Sequence, residues 1–211
     1  MWRLISIAIL GALAAALLAA EAQTKRAFIV GVGDYTELTD LRKTVGDARG
    51  YTRVFEDDLG FEVTQLTNPT RAEFLAGYGR FLERIAPGDE VVFVFSGHGW
   101  SDGVENYLAL ADAAPAGSAF RIKQETVALN GDLLAQLQAR NPKLAFAIID
   151  ACRDNPFDTL TMSGFERGLT RVESREGSLV LFSAGTRQKA LDRLSNRDPS
   201  PYSVFTRVLL P

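Results

Sequence analysis

The sequence of 211 residues contains very little of two chemically active residue types: one cysteine, Cys152, and one histidine, His98. A single cysteine excludes an intramolecular disulfide, so the folded chain depends on packing for its stability. It also excludes a zinc site of several cysteines, and a single histidine excludes a cluster of imidazole ligands. Each of the two residues is therefore either a buried structural side chain or a reactive group.

The chain also lacks a strong excess of charge and has no basic stripe. Its formal net charge is −3 at pH 7, with 23 basic and 26 acidic residues. This balance argues against nucleic acid as a partner, because nucleic-acid-binding proteins carry clustered lysines and arginines. Gly31-Val32-Gly33 lacks the third glycine of a dinucleotide-binding loop, and Ser96 has no glycine two residues before it, as a nucleophile elbow requires.

Residues 1–22 show the pattern of a signal peptide. Arg3 gives a positive start, an apolar stretch covers residues 4–18, and Ala20-Glu21-Ala22 offers a small-x-small cleavage site. The apolar stretch is shorter than the roughly 20 residues of a membrane span, and an uncleaved N-terminal anchor is the alternative. We therefore expect residues 23–211 to form one exported domain, periplasmic or secreted, with no membrane contact after signal removal.

Alternating strand and helix patterns predict an α/β fold. Short apolar runs rich in valine, isoleucine and phenylalanine are typical of buried parallel strands, and a period of 3.6 residues indicates the helices between them. The predicted strands are 27–32, 61–66, 91–95, 106–110, 144–149 and 178–183; the predicted helices are 47–58, 70–85, 130–139 and one from Ser203; residues 113–124 are a predicted loop. Thr70 and Asn130 are predicted helix caps. This order predicts a three-layer αβα sandwich with a mainly parallel sheet and right-handed crossovers.

His98 and Cys152 each stand where an apolar run stops. Residues 91–95 lead into Ser96-Gly97-His98-Gly99, and residues 144–149 lead into the polar segment that holds Cys152. Functional side chains of parallel sheets gather just beyond the carboxyl ends of the strands, and right-handed crossovers bring two such ends to one edge. A thiol and an imidazole placed together there are the minimum set for a cysteine nucleophile with its base.

These motifs resemble those of bacterial caspase-like peptidases, the branch related to metacaspases and paracaspases. The resemblance rests on Ser96-Gly97-His98-Gly99 and on the run from Asp150 to Phe157, and it covers the chain from about Arg26 to its end. His98 lies 54 residues before Cys152, close to the spacing of about 50 in caspases. The resemblance implies a caspase-like fold and a cysteine-type endopeptidase that forms a thioester intermediate.

The resemblance also implies the roles of the catalytic groups. Cys152 would attack the scissile carbonyl, and His98 would protonate the leaving amine and later activate water. Backbone N–H groups of Gly99 and Cys152 would stabilise the oxyanion. No third catalytic side chain, such as Asn or Asp, is evident in the motifs, so we expect a Cys-His dyad.

An acidic specificity pocket is a further implication of the resemblance. In metacaspase-like relatives the pocket uses four positions, which fall here on Thr44, Asp47, Ser96 and Asp150. Thr44 replaces a residue that is often cysteine, and Leu41 stands where a caspase carries arginine. An Arg or Lys side chain would form charge-assisted bonds with two carboxylates, so we expect cleavage after Arg or Lys and not after Asp. A helix cap at Asp47 and a strand-end turn at Asp150 are the alternatives.

No cofactor or metal is expected. Calcium activates many metacaspases, but the loop carboxylates Asp102, Glu105 and Asp112 lack a recognisable metal-loop spacing. We interpret them as ordinary solvated loop residues. The expected partner is a peptide or protein substrate with Arg or Lys before the scissile bond, and the sequence does not predict the oligomeric state.

Residues 157–176 correspond to the region where caspases separate their two subunits. Three arginines in it are candidate self-cleavage sites: Arg167, Arg171 and Arg175. The alternative is a substrate-binding loop that stays uncut. Relatives usually continue beyond the position of Pro211, so we expect either a naturally short chain or one that lacks a C-terminal region or a partner.

Two other functional classes stay open at this stage. One is a non-catalytic caspase-like module that binds or scaffolds other proteins. The other is a generic α/β domain in which His98 and Cys152 are structural. An intact pair of cysteine and histidine argues against the first, and the clustering of both motifs argues against the second.

Overall fold

The computed structural model describes residues 23–114, 118–152, 169–170, 177–183 and 192–211, without the side chains of Ala119 and Cys152. The predicted signal peptide, residues 1–22, and all three candidate self-cleavage sites lie outside these residues. In the part of the chain that is described, no helix has the length and apolar character that a membrane crossing needs.

Seven strands of the described chain form one sheet. They are β1 (Lys25–Gly31), β2 (Glu62–Thr67), β3 (Glu90–Ser101), β4 (Asn106–Leu108), β5 (Val127–Ala128), β6 (Leu144–Cys152) and β7 (Ser178–Phe182). Five of them are parallel, in the order β2-β1-β3-β6-β7. The end of β3 extends beyond β1 and pairs with antiparallel β4, which in turn pairs with β5. The predicted, mainly parallel sheet is confirmed.

Helices cover both faces of this sheet. They are α1 (Thr44–Arg53), which continues into a π-helical turn (Val54–Asp58), α2 (Arg71–Arg84), α3 (Ala119–Glu125), α4 (Ala135–Gln138), which follows a second π-helical turn (Leu129–Leu134), and the short α5 (Thr206–Leu209). A crossover between parallel strands requires a connection that packs back onto the sheet, and a helix provides it. The predicted three-layer αβα sandwich is confirmed.

The core divides by the alternation of side chains along the strands. Phe28 of β1 faces α2, where its ring lies 5.8 Å from that of Phe74 and 5.4 Å from that of Tyr78. The neighbouring Ile29 faces the opposite way and packs in the cluster that contains Tyr51 of α1. The functional site described below lies on the α1 face, at the carboxyl edge of the sheet.

Helix starts show where local sequence rules succeed and where they fail. Thr70 caps α2 as predicted, in a reciprocal capping box with Glu73. Asn130 is not a cap, because the segment begins at Leu129 without a side-chain cap. Instead, the Glu105 carboxylate accepts hydrogen bonds from the N–H groups of Asn130 and Gly131, both at 2.8 Å. A distant carboxylate therefore replaces the local cap.

Two further element predictions need correction. Residues 113–124 are not all loop, because α3 begins at Ala119 and Ser118 accepts a hydrogen bond from the N–H of Arg121. The last helix begins at Thr206, not at Ser203. Ser203 instead precedes the helix, and its side chain serves the site described below.

The three loop carboxylates proposed as ordinary solvated residues have structural partners. Asp102 is half-buried, and its carboxylate accepts from Lys123 Nζ at 2.5 Å and from the N–H of Glu105 at 2.7 Å. Asp112 accepts from the first N–H of α2, that of Arg71, at 2.8 Å. The interpretation as solvated residues is therefore wrong for Asp102 and Glu105. Among the described residues, no group of three or more metal-ligating side chains is placed to hold an ion.

Candidate active site

The backbone register places His98 and Cys152 beside each other. In the parallel ladder of β3 and β6, His98 is the register partner of Cys152, and adjacent strands lie about 4.8 Å apart. Both residues belong to the ends of their strands rather than to the turns after them. The prediction that they follow the strands is wrong by a few residues, since β3 gains new pairing from β4 where β1 ends.

The His98 imidazole is held by a backbone carbonyl. Its Nε2 lies 2.7 Å from the carbonyl oxygen of Thr39, in the loop after β1. A carbonyl oxygen can only accept, so Nε2 carries the hydrogen, and in the neutral ring Nδ1 is the basic nitrogen. The Tyr35 ring packs beside the imidazole, with 4.7 Å between the ring centroids. The Tyr35 hydroxyl accepts a hydrogen bond from the main-chain N–H of His98 at 2.8 Å. The side chain is thus oriented and only 7% of the residue is exposed.

Thr39 is a residue that the sequence reasoning missed. Its contribution is a main-chain oxygen, which every residue type supplies, so no side-chain motif announces it. The hydrogen-bond partner of His98 Nε2 is thus a main-chain carbonyl. The sequence analysis expected no third catalytic side chain. It considered side chains only and therefore did not predict a main-chain partner for His98.

Gly99 lies where only glycine fits. A Cβ on this residue would stand 2.9 Å from the Cβ of Ala151 on β6 and 3.3 Å from the carbonyl oxygen of Tyr107. The His98 carbonyl accepts from Ala109 N at 3.0 Å, so the main-chain groups of His98 face β4. Since successive residues of a strand direct their main-chain groups to opposite edges, the Gly99 N–H is directed toward β6. That is the edge at which Cys152 lies.

Three of the four expected pocket residues form a buried cluster on the α1 face. Ser96 Oγ donates to Asp47 Oδ2 at 2.8 Å, and Ser96 is also the ladder partner of Asp150. Asp47 is 0% exposed and Asp150 6% exposed. Among the described residues, neither carboxylate forms an ion pair with a lysine or arginine. As far as the described residues go, the cluster therefore holds two acids and no cation.

Burial controls the protonation of this cluster. Desolvation raises the pKa of Asp47 from 3.8 to about 6, against the opposing effect of a hydrogen bond from the Ser203 N–H, and the nearby Asp150 raises it further. Desolvation also raises the pKa of Asp150, while hydrogen bonds from Ser203 and Ser183 lower it. A cation placed between the two carboxylates would favour their ionised forms and restore ordinary pKa values.

Ser203 links the two carboxylates and is a second residue that the sequence reasoning missed. Its N–H donates to Asp47 Oδ1 at 2.8 Å, and its hydroxyl donates to Asp150 Oδ2 at 2.6 Å. The same hydroxyl oxygen accepts from Thr206 N at 3.1 Å, which fixes its direction. Ser203 is 156 residues from Asp47 along the chain, so no local pattern connects them.

The segment before Ser203 is docked on the start of α1. Lys43 Nζ donates to the carbonyl oxygen of Asp198 at 3.1 Å and also to that of Ser200. The carbonyl of Pro201 lies against Gly46, closer than a Cβ at that position would allow. A lysine with two carbonyl acceptors and a glycine at the contact therefore position Ser203 over the two acids.

Thr44 shares the buried face of α1 with Asp47 but is not bonded to the cluster. It is the first residue of α1, 4% exposed, and its hydroxyl has no hydrogen-bond partner among the described residues. Asp47 lies within the helix, and the N-cap residue Lys43 has no side-chain cap. The alternative of a capping role for Asp47 is therefore wrong. The turn alternative for Asp150 is also wrong, because Asp150 lies inside β6.

Comparisons with known proteins identify the family. A family model described as Peptidase_C14, caspase domain, matches residues 24–211. A search of curated proteins finds no match. Among solved structures, the protein GSU0716 of Geobacter sulfurreducens is similar, with 20% sequence identity and a TM-score of 0.47. The alignment covers 61% of this chain and 50% of that protein, so the chain spans about half of its length. On the family match, which covers nearly the whole domain, this chain belongs to the caspase-domain family of cysteine peptidases.

Proposed function

We propose that this chain is an exported cysteine endopeptidase that hydrolyses peptide bonds after Arg or Lys. The observation that carries the proposal is the ladder register of His98 and Cys152, with two buried carboxylates on the same face of the sheet, Asp150 on β6 and Asp47 on α1. Family membership supports a peptidase in general. Beyond family membership, we propose the identity of the nucleophile, the specificity for Arg or Lys, and the export of the protein.

The proposed reaction begins with the Cys152 thiol. His98 takes the thiol proton on Nδ1, because Nε2 is occupied by the Thr39 carbonyl. The thiolate attacks the scissile carbonyl, and the resulting oxyanion is stabilised by main-chain N–H groups, for which Gly99 and Cys152 are the candidates. The proton then passes from His98 to the leaving amine, and the carbon–nitrogen bond breaks to leave a thioester.

The second half of the reaction uses the same two residues. After the amine product leaves, neutral His98 accepts a proton from water, and the hydroxide formed attacks the thioester carbonyl. Collapse of the second tetrahedral intermediate releases the acid product and returns the proton to Cys152. The Thr39 carbonyl supports each step, since it stabilises the imidazolium that forms twice in the cycle.

Specificity for a cation follows from the chemistry of the pocket. An Arg or Lys side chain that enters beside Asp47 and Asp150 would supply a positive charge that no described lysine or arginine provides to these buried acids. Charge-assisted hydrogen bonds of this kind are roughly twice as strong as neutral ones. The unbonded Thr44 hydroxyl is a further acceptor on the same face of α1. An Asp side chain would place a third carboxylate there, which electrostatic repulsion opposes.

Hydrolysis of matched fluorogenic peptides tests this proposal. We expect the protein, after removal of residues 1–22, to cleave peptides ending in Arg or Lys at least about 100-fold faster than the same peptide ending in Asp, as expected from loss of one charge pair in a desolvated pocket. The Cys152→Ala variant is the control and should show no cleavage. Parallel reactions with calcium and with a chelator decide whether calcium matters. Preference for Asp would overturn the pocket assignment, and absence of all cleavage would favour a scaffold function.

Export is tested separately. If residues 1–22 are a cleaved signal peptide, the mature protein recovered from a bacterial periplasm should begin at Gln23. N-terminal sequencing or intact mass gives the answer directly. Recovery of the full-length chain in the membrane fraction would instead support the uncleaved anchor.

A further inference from the structure

We propose that a cleft on the far side of His98 binds the substrate segment that follows the scissile bond and selects acidic residues in it. This inference rests on the proposed peptidase function and adds to it a second determinant of substrate choice. The cleft has a volume of about 780 Å³ and lies where the loops after β1 and β2 meet the first turns of α1.

The strand order gives the direction of the substrate. Cys152 lies on β6 and His98 on the neighbouring β3, while β1 and β2 follow on the opposite side of β3. The leaving amine receives its proton from His98, so the leaving segment begins at the imidazole. It therefore continues away from β6, toward the ends of β1 and β2. The acyl half of the substrate stays on the side of Cys152.

The cleft lies directly along this path. Thr39 lines it, and the carbonyl oxygen of the same residue accepts the hydrogen bond from His98 Nε2 at 2.7 Å. Asn68, the residue after β2, also lines the cleft. The volume of the cleft is within the range of about 300–1,000 Å³ that is typical of ligand pockets. A stretch of peptide following the scissile bond would therefore enter it without rearrangement of the sheet.

Charge gives the chemical class of the segment. Arg42 and Arg49 line the cleft, are exposed, and have no acidic partner among the described residues. A third lining arginine, Arg193, is held by the adjacent Asp192 at 2.7 Å. Two guanidinium groups without a counter-ion favour a carboxylate, which guanidinium binds in a bidentate geometry.

The cleft also contains two acids, each of which accepts a hydrogen bond from a neutral donor of the loops after β1 and β2. Asp34 accepts from the Asn68 side-chain amide at 2.6 Å, and Asp40 accepts from the N–H of Tyr35 at 2.9 Å. They lower the net positive charge of the cleft and limit the size of the preference. Because Arg42 and Arg49 are solvent-exposed, the expected preference for Glu over Gln in the leaving segment is about three- to tenfold.

Cleavage of one matched pair of peptides tests the inference. Quenched peptides with Arg before the scissile bond and either Glu or Gln in the second and third positions after it give the ratio of kcat/KM. We expect a ratio of about three to ten, which falls to about one in Arg42→Gln/Arg49→Gln and at high salt. Arg80→Gln changes another exposed arginine, on α2 across the sheet, and is the control that should leave the ratio unchanged.

Failure of this inference is separable from failure of the proposed function. A short peptidyl-Arg coumarin substrate has no residues after the scissile bond, so its cleavage reports the dyad and the acidic pocket alone. Normal coumarin cleavage with a Glu-to-Gln ratio of one would overturn the cleft assignment only. If no substrate is cleaved, binding of fluorescent Glu and Gln peptides to Cys152→Ala still decides: equal affinities overturn the inference, and tighter Glu binding lost in the double variant supports it.

Discussion

Replacing His98 or Cys152 by alanine is expected to reduce kcat/KM for Arg peptides by about 10³-fold or more, with little change in the fold. Cys152→Ala removes the proposed nucleophile, and His98→Ala removes the group proposed to carry the proton between thiol, leaving amine and water. Because the two side chains act as one unit, the double variant should be no slower than the slower single variant. Initial rates for the three variants measure this.

The control for these variants is a change next to the imidazole that spares its chemistry. Tyr35→Phe removes the hydroxyl that accepts from the His98 N–H but keeps the ring beside the imidazole. We expect it to retain most of the activity, because the Thr39 carbonyl still orients the ring. Circular dichroism must show that all variants are folded. Activity near the wild-type level in His98→Ala would remove the basis of the mechanism.

Replacing Asp47 by asparagine is expected to have opposite effects on activity and stability. Cleavage after Arg should fall by about 100-fold, because one of the two carboxylates that would bind the guanidinium is gone. The free energy of unfolding at pH 7.5 should nevertheless rise. Asparagine keeps an oxygen acceptor for the Ser203 N–H and gains an amide donor for Ser96, while the desolvation of a charge disappears.

The raised pKa of Asp47 determines the sign and the size of the expected change in the free energy of unfolding. The pKa of Asp47 lies at about 6 in the folded protein, above its ordinary value of 3.8, so the folded state binds the proton more tightly. Its contribution to stability is therefore most favourable below pH 3.8, falls as the pH rises to about 6, and stays unfavourable above that. The difference corresponds to roughly 3 kcal/mol at most.

Urea unfolding between pH 4 and pH 8 measures this effect. The stability of the wild type should fall over that range more steeply than that of Asp47→Asn, in which Asp150 is the one remaining carboxylate of the pair and keeps its raised pKa. Asp58→Asn changes an exposed aspartate at the end of the π-helical turn that follows α1 and serves as the matched control. Its curve of unfolding free energy against pH should equal that of the wild type within error. A loss of stability in Asp47→Asn at neutral pH would show that the ionised carboxylate stabilises the fold.

The sequence predicts the parallel layers of this protein well because local patterns encode them. Apolar β-branched runs give β1, β3 and β6, and the Thr70–Glu73 capping box gives the start of α2. The two motifs that contain His98 and Cys152 also follow from the sequence, since each comes at the end of a recognisable apolar run.

The contacts that the sequence does not predict are made by groups that are distant along the chain or that act through the main chain. Thr39 acts through its carbonyl oxygen, so its residue type carries no information. Ser203 reaches Asp47 and Asp150 only after the chain has folded, and Glu105 replaces the local cap expected from Asn130. Each of these contacts depends on tertiary structure, which periodicity and spacing cannot encode.

Mass spectrometry after covalent labelling tests the central claim most directly. The protein is treated with peptidyl acyloxymethyl ketones that carry either Arg or Asp next to the reactive group, and the labelled peptide is mapped. The proposed mechanism predicts one adduct, on Cys152, which forms with the Arg reagent and is absent both in the Asp reaction and in His98→Ala. An adduct formed preferentially with the Asp reagent, or none on Cys152 with either, would contradict it.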